Sequence, residues 1–469
     1  MNYINKYITT GLLSFCILTL ISCKKWLDVP PVDRFTEDNV FSTPNGFSEV
    51  LNGIYLSIGK PKLYGANMTS TTVDIFAQRY STRDSLLQYQ LYNFGDKKVK
   101  ATIDDTWSTA YVNVLNINKF IRSLDQYPNV LDKETEDLFR GEAYALRAFL
   151  QFDMLRLFGP IYASDSLKTS IPYYTDASTK VMDILPANEV MKKVIADLQT
   201  AEKFLANDPI IKSGVIKTSQ KNHLNYRNYR MNYFAVKGLQ ARSYLYRGDR
   251  VSALAAAKQV IDNTQKFPWI TANILSNKRN PDRVFSTELL FGIQAMDLYN
   301  TYRDFFSPEL IEDLILAPLP TRLSSTYENN ENDYRNNPNW IQTNIKGKAY
   351  KTFIKYADIE PVSLDFRYIV PLLRISEMYY IATECTNDIK YLNIVRNNRN
   401  LVDLPNTVAV GSELQKEYQK EFYGEGQLWF FYKRLNLKSI PNASSSSGTI
   451  NMNANKYVLP LPLSELNPR

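Results

Sequence analysis

Residues 235–262 read AVKGLQARSYLYRGDRVSALAAAKQVID, a sequence typical of two helices joined by a tight turn. Ala241, Tyr244, Gly248 and Ala253 follow one another at intervals of three, four and five residues. Small residues at such intervals let two antiparallel helices approach closely, and the glycine shapes the turn between them. The pattern therefore predicts a helical hairpin, with helices over 229–247 and 251–263.

The hairpin resembles a tetratricopeptide unit, although an ordinary pair of helices is the alternative interpretation. Looser versions of the pair are predicted for 107–125 with 134–158, and for 188–206 with 229–247. A single repeat cannot bury its apolar face alone, so several must stack. We expect a mainly α fold of tetratricopeptide-like helix pairs, a right-handed α-solenoid, with few short strands.

The other helices are predicted from apolar residues recurring every three or four positions. The clearest covers Glu134–Phe158 and should stop at Gly159 and Pro160. We interpret Arg147 and Arg156 on it as paired or snorkelling arginines, not as ligand contacts. Further helices are predicted around Phe47–Ile54, from Trp107 onwards, around Val190–Leu205, near Pro371–Thr386, over Ile389–Asn400 and over Glu413–Phe422.

Residues 264–360 lack this periodicity and are rich in Asn, Pro, Tyr and Arg. Irregular segments of this length in a compact protein usually carry function or are disordered. Because the aromatic content argues against disorder, we expect ordered loops with small helices.

The first residues predict an exported lipoprotein. Ile8–Ile21 is apolar but too short for a membrane-spanning helix, as in a signal peptide. Leu20-Ile21-Ser22-Cys23 looks like a bacterial lipobox, in which the cysteine thiol receives a diacylglycerol and becomes the new N-terminus. We expect residues 1–22 to be removed and 23–40 to form a lipidated tether. An ordinary secretory signal with a chance cysteine is the alternative.

The cysteine count agrees with this prediction. Cys16 would leave with the signal peptide and Cys23 would carry lipid, so that Cys385 remains alone. No intramolecular disulfide is then expected. A lipid anchor with no later apolar run of spanning length predicts a protein that lies on a membrane and does not cross it.

The composition of the chain allows a large folded core and argues against a nucleic-acid-binding protein. The 469 residues are 44% hydrophobic and 22% charged, which allows a large core. The net charge of +7 is spread along the chain without a dense basic block, so we expect no nucleic-acid partner. Aromatic residues make up 13% of the chain, and they serve either helix packing or stacking on ring-shaped ligands.

Several sequence blocks follow one another over nearly the whole mature chain. They are Trp26-Leu27-Asp28, Asn52-Gly53-Ile54-Tyr55, GEAYALRAFLQFDMLRLFGPI at 141–161, ARSYLYRGD with ALAAAKQVID at 241–262, PLLRISEMYYIATE at 371–384, LNIVRNNR at 392–399, EFYGEGQLWFFYKR at 421–434 and YVLPLPLSELNP at 457–468. In their residues and in their order along the chain, these blocks resemble the SusD/RagB family of outer-membrane lipoproteins.

The resemblance implies a single domain over 41–469, with about four helix pairs and an irregular ligand-binding region packed on them. It implies a lipid-anchored outer-membrane protein that faces the cell exterior and captures a glycan, or sometimes a peptide. It also implies a partner, a SusC-like TonB-dependent transporter, and no cofactor. The chain is shorter than many members, chiefly in the loop region, so reduced binding loops are expected.

Ligand-binding residues are expected in the loop before the Trp107 helix, as the resemblance implies, and in the irregular region. Aromatic faces there would stack on sugar rings while polar side chains bind the hydroxyls. The candidates are Asp74, Arg79, Tyr80, Gln88, Tyr89, Tyr92, Tyr299, Tyr302 and Trp340.

Catalytic motifs are largely missing from the sequence. With one histidine, His223, it offers no HExxH or CxxC zinc motif, and it contains no GxSxG or phosphate-binding loop. A glycosidase needs only two carboxylates, and Asp104-Asp105 and Glu309, Glu312 and Asp313 are candidates by proximity. We expect a binding protein that is not an enzyme and holds no metal. A surface glycoside hydrolase and a helical protein-binding scaffold are the alternatives.

Overall fold

The computed structural model describes residues 37–218, 222–277, 279–360 and 363–467. The predicted signal peptide, the lipid-bearing Cys23 and the tether up to residue 36 lie outside the described residues.

The described residues form nineteen α-helices and eight short strands. The helices are α1 (Glu37–Phe41), α2 (Pro44–Ile58), α3 (Thr72–Phe76), α4 (Asp84–Gln90), α5 (Lys97–Gln126), α6 (Lys133–Phe158), α7 (Ala187–Phe204), α8 (Ile210–Ser213), α9 (Tyr233–Tyr246), α10 (Arg250–Ile261), α11 (Ala272–Leu275), α12 (Leu298–Phe305), α13 (Pro320–Thr326), α14 (Ile375–Thr386), α15 (Ile389–Asn397), α16 (Val410–Glu421), α17 (Gln427–Arg434), α18 (Ala454–Tyr457) and α19 (Leu463–Leu466).

The strands pair as four antiparallel two-stranded sheets, β1–β2, β3–β6, β4–β5 and β7–β8. They are β1 (Thr169–Ile171), β2 (Leu185–Pro186), β3 (Leu289–Gln294), β4 (Trp340–Ile341), β5 (Thr352–Phe353), β6 (Ile369–Arg374), β7 (Ser439–Pro441) and β8 (Thr449–Asn451).

The long helices stack in sequence order. Helix α2 packs on α5, α5 on α6, α6 on α7, α7 on α9, α9 on α10, and α10 on α14, which also contacts α15 and α16. Each helix therefore buries its apolar stripe against a neighbour in the row. The predicted fold class, mainly α with stacked helix pairs and few short strands, is confirmed.

Helix α6 lies at the centre of this stack, and its sequence explains its limits. Asp132 caps the first turn by accepting a hydrogen bond from the Thr135 N–H at 2.9 Å. Gly141 allows a close approach, because a Cβ there would lie 2.5 Å from Leu205 Cγ. Gly159 ends the helix as predicted.

Arg147 and Arg156, the two arginines of α6 considered in the sequence, are paired, as predicted. Arg147 donates to both carboxylate oxygens of Asp197 at 2.7 Å. Arg156 pairs with Asp153, and its guanidinium lies 3.8 Å from the centre of the Phe430 ring. Both arginines are buried, so these partners supply the compensation that buried charge requires.

The α9–α10 hairpin confirms the predicted turn. Gly248 has φ +86°, a left-handed conformation that glycine adopts without steric cost. Asp249 then caps α10 by accepting from the Ser252 N–H at 3.0 Å. Helix α9 begins later than predicted because Asn232 caps it, accepting from the Ala235 N–H at 3.0 Å.

Two further predicted helix starts are wrong. The helix predicted from Trp107 begins ten residues earlier at Lys97, where Asp96 accepts from the Lys98 N–H at 2.9 Å. The segment near Pro371 begins as strand β6, which pairs with β3, and the helix starts only at Ile375. Helix α5 starts early because its capping residue, Asp96, precedes the apolar pattern. The segment at Pro371 is a strand because pairing with the distant β3 outweighs the local helical periodicity.

Candidate functional site

The predicted ligand-binding loop packs against the turn between α16 and α17. Asp74, in the first turn of α3, is fully buried, and its Oδ2 accepts a hydrogen bond from the Gly424 N–H at 2.8 Å. Burial raises the pKa of Asp74 to about 6, although Arg79 and the Gly424 N–H favour the charged carboxylate. Its Oδ1 has no hydrogen-bond partner among the described residues.

Arg79 lies between Asp74 and the aromatic ring of Tyr423. Its Nε is 3.8 Å from Asp74 Oδ2, and its guanidinium carbon is 4.3 Å from the ring centre of Tyr423. One nitrogen donates to the Gln419 carbonyl. The Nε and Nη2 groups are buried and make no hydrogen bond to any described residue. Since Nε faces the Asp74 carboxylate, Nη2 is the group of Arg79 that still lacks an acceptor among the described residues.

A narrow cleft of about 70 Å³, the Arg79 cleft, opens beside this guanidinium. Its lining residues come from three parts of the chain that are distant in sequence. They are Ala77, Gln78, Arg79, Pro318, Arg322, Ser325, Thr326, Gln419, Tyr423, Leu428, Tyr432 and Pro441. The cleft offers amide, hydroxyl and guanidinium groups to a ligand.

Two other lining groups are held in place by hydrogen bonds. Arg322 on α13 donates to the carbonyls of Ser445 at 2.7 Å and Gly448 at 2.6 Å, which fixes the β7–β8 loop beside the cleft. Burial lowers the pKa of Arg322. Gln419 donates from Nε2 to the Tyr432 hydroxyl at 2.9 Å. Hydrogen bonds therefore hold the residues on both sides of the Arg79 cleft in place before a ligand binds.

Two predicted residues lie directly behind the cleft. Tyr80 is fully buried, and its hydroxyl donates to the Ser70 carbonyl at 2.9 Å. Trp340 is 5% exposed, and its ring centre lies 4.9 Å from that of Tyr423. In this conformation both residues support Tyr423.

The other predicted residues of the loop belong to a second packing cluster. Tyr92 is buried and stacks on Trp429 at a ring-centre distance of 5.8 Å, and its hydroxyl donates to the Phe76 carbonyl at 2.8 Å. The Tyr89 hydroxyl lies 2.7 Å from Thr102 Oγ1. Gln88 is half-buried and accepts from the Asn93 side chain at 2.8 Å.

Tyr299 and Tyr302 lie on α12 and do not line the Arg79 cleft. Both are half-buried. The ring of Tyr299 lies 4.9 Å from Tyr368, and the Arg367 guanidinium lies about equally close to both rings, at 5.0 and 4.9 Å. Of the nine predicted residues, only Arg79 lines the cleft, and Asp74, Tyr80 and Trp340 lie behind it.

No local sequence pattern predicts that Arg322, Thr326, Gln419 or Tyr432 lines a cleft. They reach the cleft from α13, α16 and α17, which the chain brings together only through tertiary packing. Tyr423 lies inside the block at 421–434, which contributes to the family resemblance but does not single out a ligand-binding residue. A cleft assembled from distant segments has no fixed spacing for a motif search to find.

The residues considered for catalysis have ordinary structural partners. Asp104 pairs with Lys100 at 2.5 Å, and Asp105 pairs with Lys62 at 3.0 Å. Glu312 accepts from the Tyr350 hydroxyl at 2.9 Å. His223 is half-buried against Phe139 at a ring distance of 5.1 Å. Within the described ranges, no group of three or more His, Cys, Asp or Glu side chains could hold a metal ion.

No helix among the described residues combines the length and the apolar character needed to cross a membrane.

Comparison with known proteins gives consistent matches. Residues 25–221 match the profile of a SusD-like family described as starch-binding and associating with the outer membrane. The SusD-like protein P2 of Formosa agariphila is 24% identical over 96% of this chain and 95% of its own length.

Two solved structures share the fold. A SusD superfamily protein from Bacteroides thetaiotaomicron superposes with a TM-score of 0.69 at 20% identity, over 91% of this chain and 98% of that one. A laminarin-binding SusD-like protein superposes with a TM-score of 0.63 at 17% identity, over 90% and 97% of the two chains. The chain is therefore similar in sequence to SusD-like proteins along nearly its whole length, and its described part shares the fold of the SusD superfamily structures.

Proposed function

We propose that this protein captures a glycan at the Arg79 cleft and delivers it, chemically unchanged, to a TonB-dependent transporter of the outer membrane. The lipobox at Leu20–Cys23 would anchor it by lipid, with the folded part facing the cell exterior. The ligand class is supported by the family description, starch-binding, and by the laminarin-binding relative. Starch and laminarin are both neutral glucans, so a neutral oligosaccharide is the first ligand class to test.

The observation that carries the proposal is the Nη2 group of Arg79, a buried donor of a cleft-lining residue that makes no hydrogen bond to any described residue. A buried donor without a partner costs free energy comparable to a lost hydrogen bond, which a bound acceptor restores. Adjacent sugar hydroxyls match the planar fork of a guanidinium, and Ser325, Thr326 and Gln419 supply further hydrogen-bonding groups at the cleft. A few fixed polar groups in one cleft orient a ligand without any bond being broken.

Arg79→Lys is the sharpest test of this site. Lysine keeps a positive charge beside Asp74 but removes the planar array of donors. Losing one charge-assisted hydrogen bond costs about 1.5–3 kcal/mol, so the Kd should rise about 10- to 100-fold. Affinity for malto- and laminari-oligosaccharides should be measured by calorimetry, with the unfolding temperature recorded for each variant.

Arg303→Lys provides the matched control, because Arg303 is exposed on α12 and, among the described residues, pairs with its neighbour Asp304 alone. It should bind like the wild type. Equal affinity for the wild type and Arg79→Lys would refute the Arg79 cleft as the binding site. Release of reducing ends during incubation would refute capture without chemistry and favour the hydrolase alternative.

The partner is tested separately by purifying the native protein from detergent-solubilised outer membrane. Recovery of a TonB-dependent barrel in stoichiometric amount is the expected result. A protein that reproducibly purifies without a barrel, yet binds glycan, would contradict the delivery step and leave the capture step standing.

A further inference from the structure

A second and larger cleft, of about 720 Å³, opens between α2, residues 222–230 and the ends of strands β3 and β6. We call it the tyrosine cleft, and its principal lining residues are Asn52, Tyr226, Tyr229, Arg230, Gln294 and Asp365. It shares no lining residue with the Arg79 cleft. Its volume falls in the range of about 300–1,000 Å³ typical of small-molecule sites.

Two tyrosines form a parallel aromatic pair in this cleft. The rings of Tyr226 and Tyr229 are 5.8 Å apart at an interplanar angle of 4°. Both residues are half-buried and line the cleft, but the Tyr229 hydroxyl is itself buried, so Tyr226 is the more accessible of the two. Aromatic rings with an exposed face and a polar hydroxyl suit ligands that are themselves partly apolar and partly polar.

The backbone that carries the tyrosines is firmly held. Residues Arg227–Tyr229 form a 3₁₀ turn, and the Arg227 side chain is fully buried. Arg227 donates to Asp208 from Nε at 3.1 Å and from Nη2 at 2.6 Å, and it also pairs with Glu142. Anchoring this turn to α6 and to the segment just before α8 fixes the ring pair, which lowers the entropy cost of binding a ligand there.

The charged residues of the tyrosine cleft balance one another. Arg230 Nε donates to Glu142 Oε2 at 2.9 Å, and Asp365 pairs with Lys217 at 2.7 Å. No net charge is therefore left to select an anion or a cation. The Arg230 Nη2 group is buried and has no hydrogen-bond partner among the described residues, so one strong donor is unused.

Uncharged polar side chains complete the lining. Asn45, Asn52, Asn222 and Gln294 are exposed at the cleft. An amide both donates and accepts, which matches the donating and accepting character of a sugar hydroxyl. Aromatic faces, amides and balanced charge together describe a site for a neutral, polyhydroxylated ring compound.

We propose that the tyrosine cleft is a second saccharide-binding site on this protein, independent of the Arg79 cleft. The ligand class rests on the proposed function, while the location rests on the cleft alone. Two sites on one chain would hold two segments of a long glycan at once, and the second contact would form at a high effective concentration.

The experiment uses the mature protein and neutral tri- to pentasaccharides of the malto and laminari series, chosen to be short enough to occupy one cleft. Calorimetry should report two sites per wild-type chain. Tyr226→Ala should weaken one of them about tenfold or more through the lost aromatic face, while Arg79→Lys should weaken the other. Tyr226→Phe keeps the ring and should retain both sites.

Tyr244→Ala is the matched control, since Tyr244 is also half-buried but lies on α9 outside the cleft. Gln294→Ala, at an exposed position, tests the same cleft without disturbing the ring pair. One site that is lost in Arg79→Lys and unchanged in Tyr226→Ala and Gln294→Ala would overturn this inference and leave the proposed function intact.

Two further outcomes distinguish binding at the tyrosine cleft from binding at the Arg79 cleft. Binding lost in Tyr226→Ala but unchanged in Arg79→Lys would uphold the tyrosine cleft and refute the Arg79 cleft. Absence of binding to every oligosaccharide of both series and to an array of neutral glycans would overturn both.

Discussion

Arg399 and Glu421 are joined by two hydrogen bonds, from Nε at 3.0 Å and from Nη2 at 2.6 Å, and neither side chain is exposed to solvent. Glu421 also accepts from Arg335 at 3.1 Å and pairs with Arg374. Burial works to raise the pKa of Glu421, but these arginines outweigh it and hold the pKa well below its usual range. One carboxylate on α16 thus connects β6, the turn that follows α15 and the irregular region.

We predict that Glu421→Gln lowers the free energy of unfolding by about 3–5 kcal/mol. The substitution keeps the shape of the side chain but leaves several buried guanidinium groups with less negative charge. Urea unfolding followed by circular dichroism measures the effect. Glu189→Gln, which breaks an exposed pair with Lys192, should change stability by less than about 1 kcal/mol. Similar effects of the two substitutions would contradict the importance of burial.

The same network predicts a loss of stability in acid. Burial alone would raise the pKa of Glu417, but Arg335, Lys420 and Arg396 outweigh it and lower the pKa to about 2. A depressed carboxyl pKa stabilises the fold above the unfolded-state pKa, and this contribution of about 3 kcal/mol is lost as the pH falls from about 4.5 towards 2. The stability difference between the wild type and Glu417→Gln should therefore shrink between pH 6 and pH 3. A difference that stays constant would refute the low pKa.

Asp74 should behave in the opposite way. Its folded-state pKa of about 6 is higher than that of an unfolded aspartate, so its contribution is fully present below about pH 4 and lost as the pH rises through 6. Asp74→Asn resembles the protonated form at every pH. Relative to the wild type, this variant should gain about 1–3 kcal/mol between pH 4 and pH 7. Parallel urea unfolding curves measure the change, and a decrease over this range would show that Arg79 keeps Asp74 charged.

Local patterns predicted α6, the α9–α10 hairpin and the pairing of Arg147 because each depends on residues close in sequence or on a general cost of burying charge. The position of strand β6 could not be predicted in this way, because its partner β3 lies about eighty residues earlier. Arg79 was found through resemblance. Tyr226 was missed because residues 222–230 read as a polar surface segment, and only packing against α2 and β3 turns them into a cleft wall.

Two glycines offer opposite predictions for the same substitution. Gly141→Ala should destabilise the protein, because the new Cβ would lie 2.5 Å from Leu205 Cγ and 3.2 Å from the Ala201 carbonyl oxygen. Gly53→Ala should raise the free energy of unfolding by about 0.5–1 kcal/mol, since Gly53 is exposed within α2 and has nothing within 4 Å. Thermal unfolding of both variants distinguishes the cases. A stabilising Gly141→Ala would show that α6 and the turn at Leu205 are not in close contact.

The lipid anchor predicted at Cys23 is tested by Cys23→Ser. A serine hydroxyl does not replace the thiol that receives the diacylglycerol, so the variant should lose incorporation of radiolabelled palmitate. Two or more acyl chains are needed for stable anchoring, and without them the protein should move from the membrane fraction to the soluble fraction. Cys385→Ser is the matched control, because Cys385 is half-buried in the folded part and should leave labelling and fractionation unchanged. Palmitate incorporation that survives in Cys23→Ser would place the modification at another residue and refute the lipobox.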